Sequence, residues 1–266
     1  MEPRTIGTGT EDKRKVKATM ALKEYEINGE HWWGPEGDYD VSFAVLEQQN
    51  GAYKVDFLPE LKNHYVVDCG AHIGTFTVDQ LRKGAAGVIA VEPNPSVYEA
   101  LRKNTERALE KPHDKTSWSS GECLSTQQAC WSGETTMNLM VDPEFSGAGS
   151  LTKNTNVERT RPVHVQCTTV DDLVEASEFP RIDLIKMDIE GSELHALIGA
   201  IKTIQRWHPR LLIAIEHGPG DELLLSSLVR ILYRGYSIKK LEWQASEKQK
   251  GSVIVCWTEK STRGKL

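Results

Sequence analysis

The chain has 266 residues, with 32 lysines and arginines against 38 aspartates and glutamates, a formal net charge of −6. That balance excludes a general nucleic-acid binder, which would carry a basic surplus, while 39% hydrophobic and 26% charged residues are ordinary for a globular protein. No apolar run approaches the roughly 18 residues that span a bilayer, the N-terminal stretch is too charged for a signal peptide, and five cysteines without a C-x-x-C pair read as reduced thiols. The expectation is a mildly acidic cytoplasmic protein with no transmembrane segment.

Residues 1–20 read as a polar arm and residues 21–62 as a strand-and-helix cap. In the cap, Tyr25, Ile27 and the Asn28-Gly29 turn suggest a short strand, and Ser42–Gln49 a helix. Between them His31-Trp32-Trp33-Gly34-Pro35 places two aromatics in turn chemistry. Trp32 and Trp33 either cap the core or wall a substrate cleft.

From residue 63 to residue 266 the pattern becomes regular. Apolar runs at Tyr65–Cys69, Val88–Val91, Ile182–Ile189 and Arg210–Ile215 alternate with helical stretches ending near Lys83, Lys111, Arg206 and Arg234. Such alternation predicts an α/β fold with a parallel sheet covered by helices on both faces. Tyr236–Trp243 and Ser252–Trp257 follow as an antiparallel edge pair. Residues 113–170 interrupt the rhythm with two strand-like runs, Thr135–Val141 and Val163–Val170, and read as an inserted hairpin.

Four segments carry chemistry. Val67 to Thr75 runs from a strand through Asp68, Gly70 and Gly74 into a helix, so its glycines let backbone N–H groups approach a ligand closely. The spacing G-x-x-x-G fails the dinucleotide fingerprint. Glu92, at the end of the next strand, is placed to accept hydrogen bonds from ribose hydroxyls. Together these two segments point to a nucleoside-containing ligand.

The third segment, Asp183 to Glu193, puts Lys186, Asp188 and, if extended geometry persists, Glu190 on one side. A buried lysine needs a carboxylate partner, for which Asp188 or Glu216 is the candidate. An ion pair between strands is the bland reading, but three acids at one strand-to-helix turn exceed what that requires. The fourth, Ile215-Glu216-His217-Gly218, ends the next strand on the same rim. Of the eight histidines, His72 and His217 stand out.

VVDCGAHIGTFT, VEPNP, QACWSGETTMNL through GAGSL, LIKMDIEGSELHALIGA and LLIAIEH resemble the FkbM family of S-adenosylmethionine-dependent methyltransferases, from about Tyr39 to Cys256. The resemblance implies a Rossmann-like class I fold, a seven-stranded mostly parallel sheet in the order 3-2-1-4-5-7-6. It also implies methyl transfer to a hydroxyl of a sugar, polyketide or other natural product, a small-molecule or glycan acceptor. By the same likeness the loop Gly70, Ala71, His72, Ile73, Gly74 and Thr75, with Asp68 and Asp188 beside it, cradles S-adenosyl-L-methionine. Glu92, with Pro93 and Asn94, holds the ribose, and Gln128 and Ala129 lie beside the adenine. His72 departs from the Asn common in that loop.

Removing the acceptor proton needs a base. His217 has the ordinary pKa nearest neutral, and Glu190 or Asp188 serves if desolvated, so these three are the catalytic candidates. Magnesium or calcium on Asp188, Glu190, Glu216 and His217 is a variant, but carboxylates around a base are common without metal, and the expectation is a metal-free site. A rival reading is a non-catalytic nucleoside-binding or interaction module, which explains the glycine loop and Glu92 but not the D-x-E-G-x-E block.

Overall fold

The computed structural model describes residues 4–5, 20–110, 121–152, 159–244 and 250–259. Most of the polar arm, Lys111 and parts of the 113–170 interruption lie outside the described residues. The chain opens on a two-residue strand β1 (Arg4–Thr5), then a hairpin of β2 (Leu22–Ile27) and β3 (Glu30–Pro35), and helix α1 (Asp40–Gln49). The alternating region begins with β4 (Tyr65–Cys69), α2 (Thr75–Arg82), β5 (Gly87–Val91), α3 (Pro95–Glu110) and β6 (Glu122–Thr126). Four strands follow, β7 (Ala129–Cys130), β8 (Thr135–Asp142), β9 (Phe145–Ser150) and β10 (Arg161–Thr168), then α4 (Val170–Ser177). The alternation resumes with β11 (Leu184–Met187), α5 (Glu193–Ile198), α6 (Ile201–Trp207), β12 (Arg210–Ala214) and α7 (Asp221–Leu232), closing on β13 (Ser237–Gln244) and β14 (Lys250–Trp257).

The main sheet runs β1-β6-β5-β4-β11-β12-β14-β13. Setting aside the two-residue edge β1, its strands numbered along the chain lie 3-2-1-4-5-7-6. All neighbours are parallel except β12 with β14 and β14 with β13. Apart from the buried Asp68, Lys186 and Arg210, strands β4, β5, β11 and β12 are apolar on both faces because helices cover both sides. Val67, Ile89, Ile185 and Ile213 meet α4 to α7 on one side, while Val66, Val88 and Leu212 pack on the other. The first turn after β4 is forced by close approach, since a Cβ on Gly70, at φ 78°, would collide with the Asp188 carbonyl oxygen.

The structure departs from the sequence expectations in four places. The interruption contains β6, which belongs to the main sheet, and the hairpin-like pair β8 and β10 is elaborated into a four-stranded sheet β7-β10-β8-β9. Gly147 and Gly149 lie on β9, which pairs with β8. Trp32 and Trp33 sit on β3, not in a loop. Finally, the stretch after Ser192 is two helices, not one. It breaks at Gly199, where a Cβ would strike the Trp131 carbonyl, and Asp171 caps the second helix by accepting from Lys202 N and Thr203 N at 3.0 and 2.8 Å. The helix α4 that supplies Asp171 was not anticipated. All five cysteines are free and buried, and among the described residues no helix is long and apolar enough to cross a membrane.

Candidate active site

A cavity of about 560 Å³ opens at the carboxyl ends of β4, β5 and β11, roofed by α1 and β9. Of the residues singled out as cofactor contacts, Gly70, Ala71, His72, Thr75, Glu92, Pro93, Asn94, Ala129 and Asp188 line it, and so does Glu190. Four others do not. Asp68 is fully buried and turned back, accepting from Thr77 Oγ1 at 2.6 Å and pairing with Lys186 Nζ at 3.3 Å. Ile73 belongs to the apolar group under β3, Gly74 packs on Leu101, and the Gln128 side chain accepts from Thr126 Oγ1 at 2.8 Å.

Both tryptophans are also placed away from the cavity. Trp32 packs among Val41, Val45, Ile73 and Val97, which favours the capping role. The Trp33 ring lies under Lys103 Nζ at 4.0 Å, and its backbone N–H donates to Asn104 Oδ1 at 2.8 Å.

Glu92 is 7% exposed and faces the cavity, its two oxygens accepting the His72 N–H at 2.9 Å and the Asn94 N–H at 2.8 Å. Burial pushes its pKa up to about 7 despite those hydrogen bonds. Each oxygen keeps a second lone pair for a donor in the cavity. A carboxylate already oriented by two amides, beside a glycine turn, fits a ribose diol.

Across the cavity, Lys186 is buried and bonded to the Gly70 carbonyl at 2.7 Å, with Asp68 at 3.3 Å and Asp188 at 4.0 Å. Its nearest carboxylate is thus Asp68, directly opposite in the β4–β11 register, rather than the expected Asp188 or Glu216. Glu216 instead accepts the Ser252 N–H on β14. Burial works against the ionised Asp188, but Lys186, His217 and a hydrogen bond from the Tyr53 hydroxyl together hold its pKa below the usual range.

His217 does meet the predicted acids, although it does not line the cavity. Its Nε2 lies 3.6 Å from Asp188 Oδ1 and 3.4 Å from Glu190 Oε1, and its Nδ1 lies 2.9 Å from Glu193 Oε1. Glu190 reaches it from a left-handed turn, at φ 53°, and not from an extended strand. Burial opposes the charged ring, but hydrogen bonds to Glu190 and Glu193 and the charge of Asp188 outweigh it, raising the pKa to about 11. The ring is therefore cationic at neutral pH. A raised pKa favours the protonated ring over the neutral imidazole expected from the sequence. Asp188, Glu190 and His217 bring one ligand atom each within 4.8 Å of one another, as a metal site would.

Sequence reasoning missed the roof. Glu47 and Asp40 on α1, Tyr53 after it, and Ser146 on β9 all face the cavity. Burial, reinforced by Asp188, pushes Glu47 up to about 8, and burial pushes Asp40 up to about 6 even though it accepts the Gly147 N–H at 2.8 Å. Nothing local marks these residues, because they reach the site only through the packing of α1 against the excursion.

A Rossmann-like sheet with a glycine turn, an acid closing the second strand and an acidic rim on the fourth is the arrangement of an α/β protein that binds a nucleoside-containing ligand at its strand ends. Residues 68–238 match the family model described as the methyltransferase FkbM domain, and the chain belongs to that family. It is 28% identical over 169 residues to the hexuronic acid methyltransferase AglP of Haloferax volcanii, a match covering 64% of this chain and 59% of that one. It is 24% identical over 207 residues to Methyltransferase 1 of Beauveria bassiana, covering 71% and 79% of the two chains. A crystal structure of methyltransferase FkbM from Methylobacillus flagellatus KT superposes with a TM-score of 0.57 at 19% identity, covering 77% of this chain and 46% of that one. The chain thus spans less than two thirds of the Haloferax relative and less than half of the Methylobacillus one.

Proposed function

We propose that the protein transfers a methyl group from S-adenosyl-L-methionine to a hydroxyl of a sugar, polyketide or other small acceptor. The observation that carries this reading is Glu92, a buried carboxylate that faces the cavity beside the glycine turn with lone pairs free for a ribose diol. In this reading Gly70, Ala71, His72 and Thr75 hold the methionyl part, Glu92, Pro93 and Asn94 the ribose, and Ala129 the adenine edge. The donor supplies an electrophilic methyl carbon on a sulfonium, whose positive charge suits a cavity edged by Asp188 and Glu190.

The chain contributes positioning and electrostatics. Holding the two reactants at near-attack distance accounts for much of the barrier lowering in such displacements. Asp188 and Glu190 face the cavity as hydrogen-bond acceptors for an acceptor hydroxyl, and the His217 cation fixes both carboxylates in place. The relative named for hexuronic acid methylation supports a sugar-type acceptor, and the acidic rim of Asp188 and Glu190 faces the same cavity. A cavity built only to bind a nucleoside would not need that rim.

The test is a mass-spectrometric screen with methyl-labelled S-adenosyl-L-methionine against uronic acid glycosides, neutral methyl glycosides and hydroxylated polyketides. The expected result is one labelled methyl on oxygen of at least one acceptor class. Labelling of none, by protein that binds the donor, would support the non-catalytic nucleoside-binding alternative instead.

A further inference from the structure

His217 does not line the cavity, so a proton leaving an acceptor held there needs another destination. We propose that His72 is that destination, its Nδ1 taking the proton while Ser146 and Asp38 hold the ring from behind. This rests on the hydroxyl-methylation reading above.

Among the described residues, His72 is the one histidine that lines the cavity. Its Nε2 lies 2.8 Å from Ser146 Oγ, and the Ser146 hydroxyl donates to Asp38 Oδ2. A hydroxyl has one proton to give. Since Ser146 gives it to the carboxylate, it must accept from His72, so the ring carries its hydrogen on Nε2 and a lone pair on Nδ1. Asp38 is 4% exposed and is itself fixed by the Asp40 N–H at 3.0 Å and the Ser146 N–H at 3.4 Å. Nδ1 has no hydrogen-bond partner among the described residues, yet it is not one of the sealed, unpaired polar atoms of the interior. The residue itself lines the cavity.

The backbone supports a chemical role. His72 sits at φ 51°, a left-handed conformation that an L residue adopts at a cost. The turn itself is served by Gly70 and Gly74, and any residue would offer its backbone N–H to Glu92. What histidine adds is the ring. Burial keeps that ring neutral, pushing its pKa down to about 4, while Asp38 and Asp188 pull it upward and Lys186 pushes it further down.

A weakly basic imidazole suffices for this reaction. The acceptor oxygen bonds to the methyl carbon as the carbon–sulfur bond breaks, its electron pair staying on sulfur to leave neutral S-adenosylhomocysteine. The oxygen becomes a strongly acidic oxonium as the new bond forms, and its proton passes to His72 Nδ1. The resulting imidazolium remains paired through Ser146 to the Asp38 carboxylate.

Two measurements test this. In the complex with S-adenosylhomocysteine, long-range proton–nitrogen NMR at pH 7 should show His72 as the neutral Nε2–H tautomer, assigned by its loss in His72→Asn. An Nδ1–H tautomer or a cationic ring overturns the proposal without reference to any acceptor. His72→Gly, which suits the positive φ, should lose about 10²–10⁴ in kcat, measured at saturating S-adenosyl-L-methionine, on the acceptor labelled in the screen. Imidazole in the buffer should restore at least about tenfold, in proportion to its free base. Unchanged kcat, or a loss that imidazole does not relieve, contradicts the proposal. If wild type labels no acceptor, the functional reading fails, while the tautomer measurement still decides the His72–Ser146–Asp38 chain.

Discussion

His217 Nδ1 lies 2.9 Å from Glu193 Oε1, and that same oxygen accepts the Ile189 backbone N–H at 2.9 Å. One carboxylate, 2% exposed, thereby ties the β12 rim to the turn after β11. His217→Gln should leave Glu190 and Glu193 without their cation and cost about 3–5 kcal/mol at pH 7, the usual penalty for breaking a buried pair. The native pKa of about 11 lies above the ordinary 6.5, so the stabilisation is full below about pH 6.5 and is lost as pH rises through 11. Urea denaturation at pH 7 and pH 10 should show the gap between wild type and variant shrinking at the higher pH.

Lys186 offers a second stability prediction with a functional consequence. Its ammonium bonds the Gly70 carbonyl and balances Asp68 and Asp188. Lys186→Met keeps the stem but strands two carboxylates, which should cost about 3–5 kcal/mol. The glycine turn would also lose its anchor. Thermal denaturation with and without S-adenosylhomocysteine should show a lower melting temperature and a smaller ligand-induced rise.

The sheet was legible from the chain because compact apolar strands, glycine turns and helices alternate from Tyr65 to Trp257 on either side of the 113–170 interruption. The glycine loop, Glu92 and Asp188 were legible as well, since a strand-end position alone places a residue on the rim. What the chain did not disclose is long-range. Ser146 meets His72 only because β8 and β9 fold back over the glycine turn, 74 residues away in sequence. Asp68 looked like a ligand contact by position, yet alternation in β4 turns it toward Thr77 and Lys186. The protonation of His217 depends on three acids from the turn after β11 and the start of α5, which no reading of Ile215 to Gly218 could weigh.

The tryptophans give a third prediction. Trp32 is 5% exposed in the apolar group of β3, α1, α2 and α3. Trp32→Ala should destabilise by about 3–5 kcal/mol, as large-to-small aromatic substitutions in cores do. Urea denaturation measures that loss, and below the unfolding transition the affinity for S-adenosylhomocysteine should be unchanged. A stable variant with an altered acceptor KM would restore the substrate-wall reading.

Isothermal titration with S-adenosylhomocysteine decides whether Glu92 holds the ribose of S-adenosyl-L-methionine. Glu92→Ala removes a charge-assisted hydrogen bond worth about 1.5–3 kcal/mol, and Glu92→Gln keeps the volume without the charge. Because Glu92 ionises near pH 7 and only the carboxylate is a full acceptor, wild-type affinity should rise between pH 6 and pH 8, with no such rise in Glu92→Gln. Wild type should bind saturably, and Glu92→Ala should bind about tenfold or more weakly. Equal affinity in folded wild type and Glu92→Ala, or no binding to wild type at all, would contradict that role of Glu92.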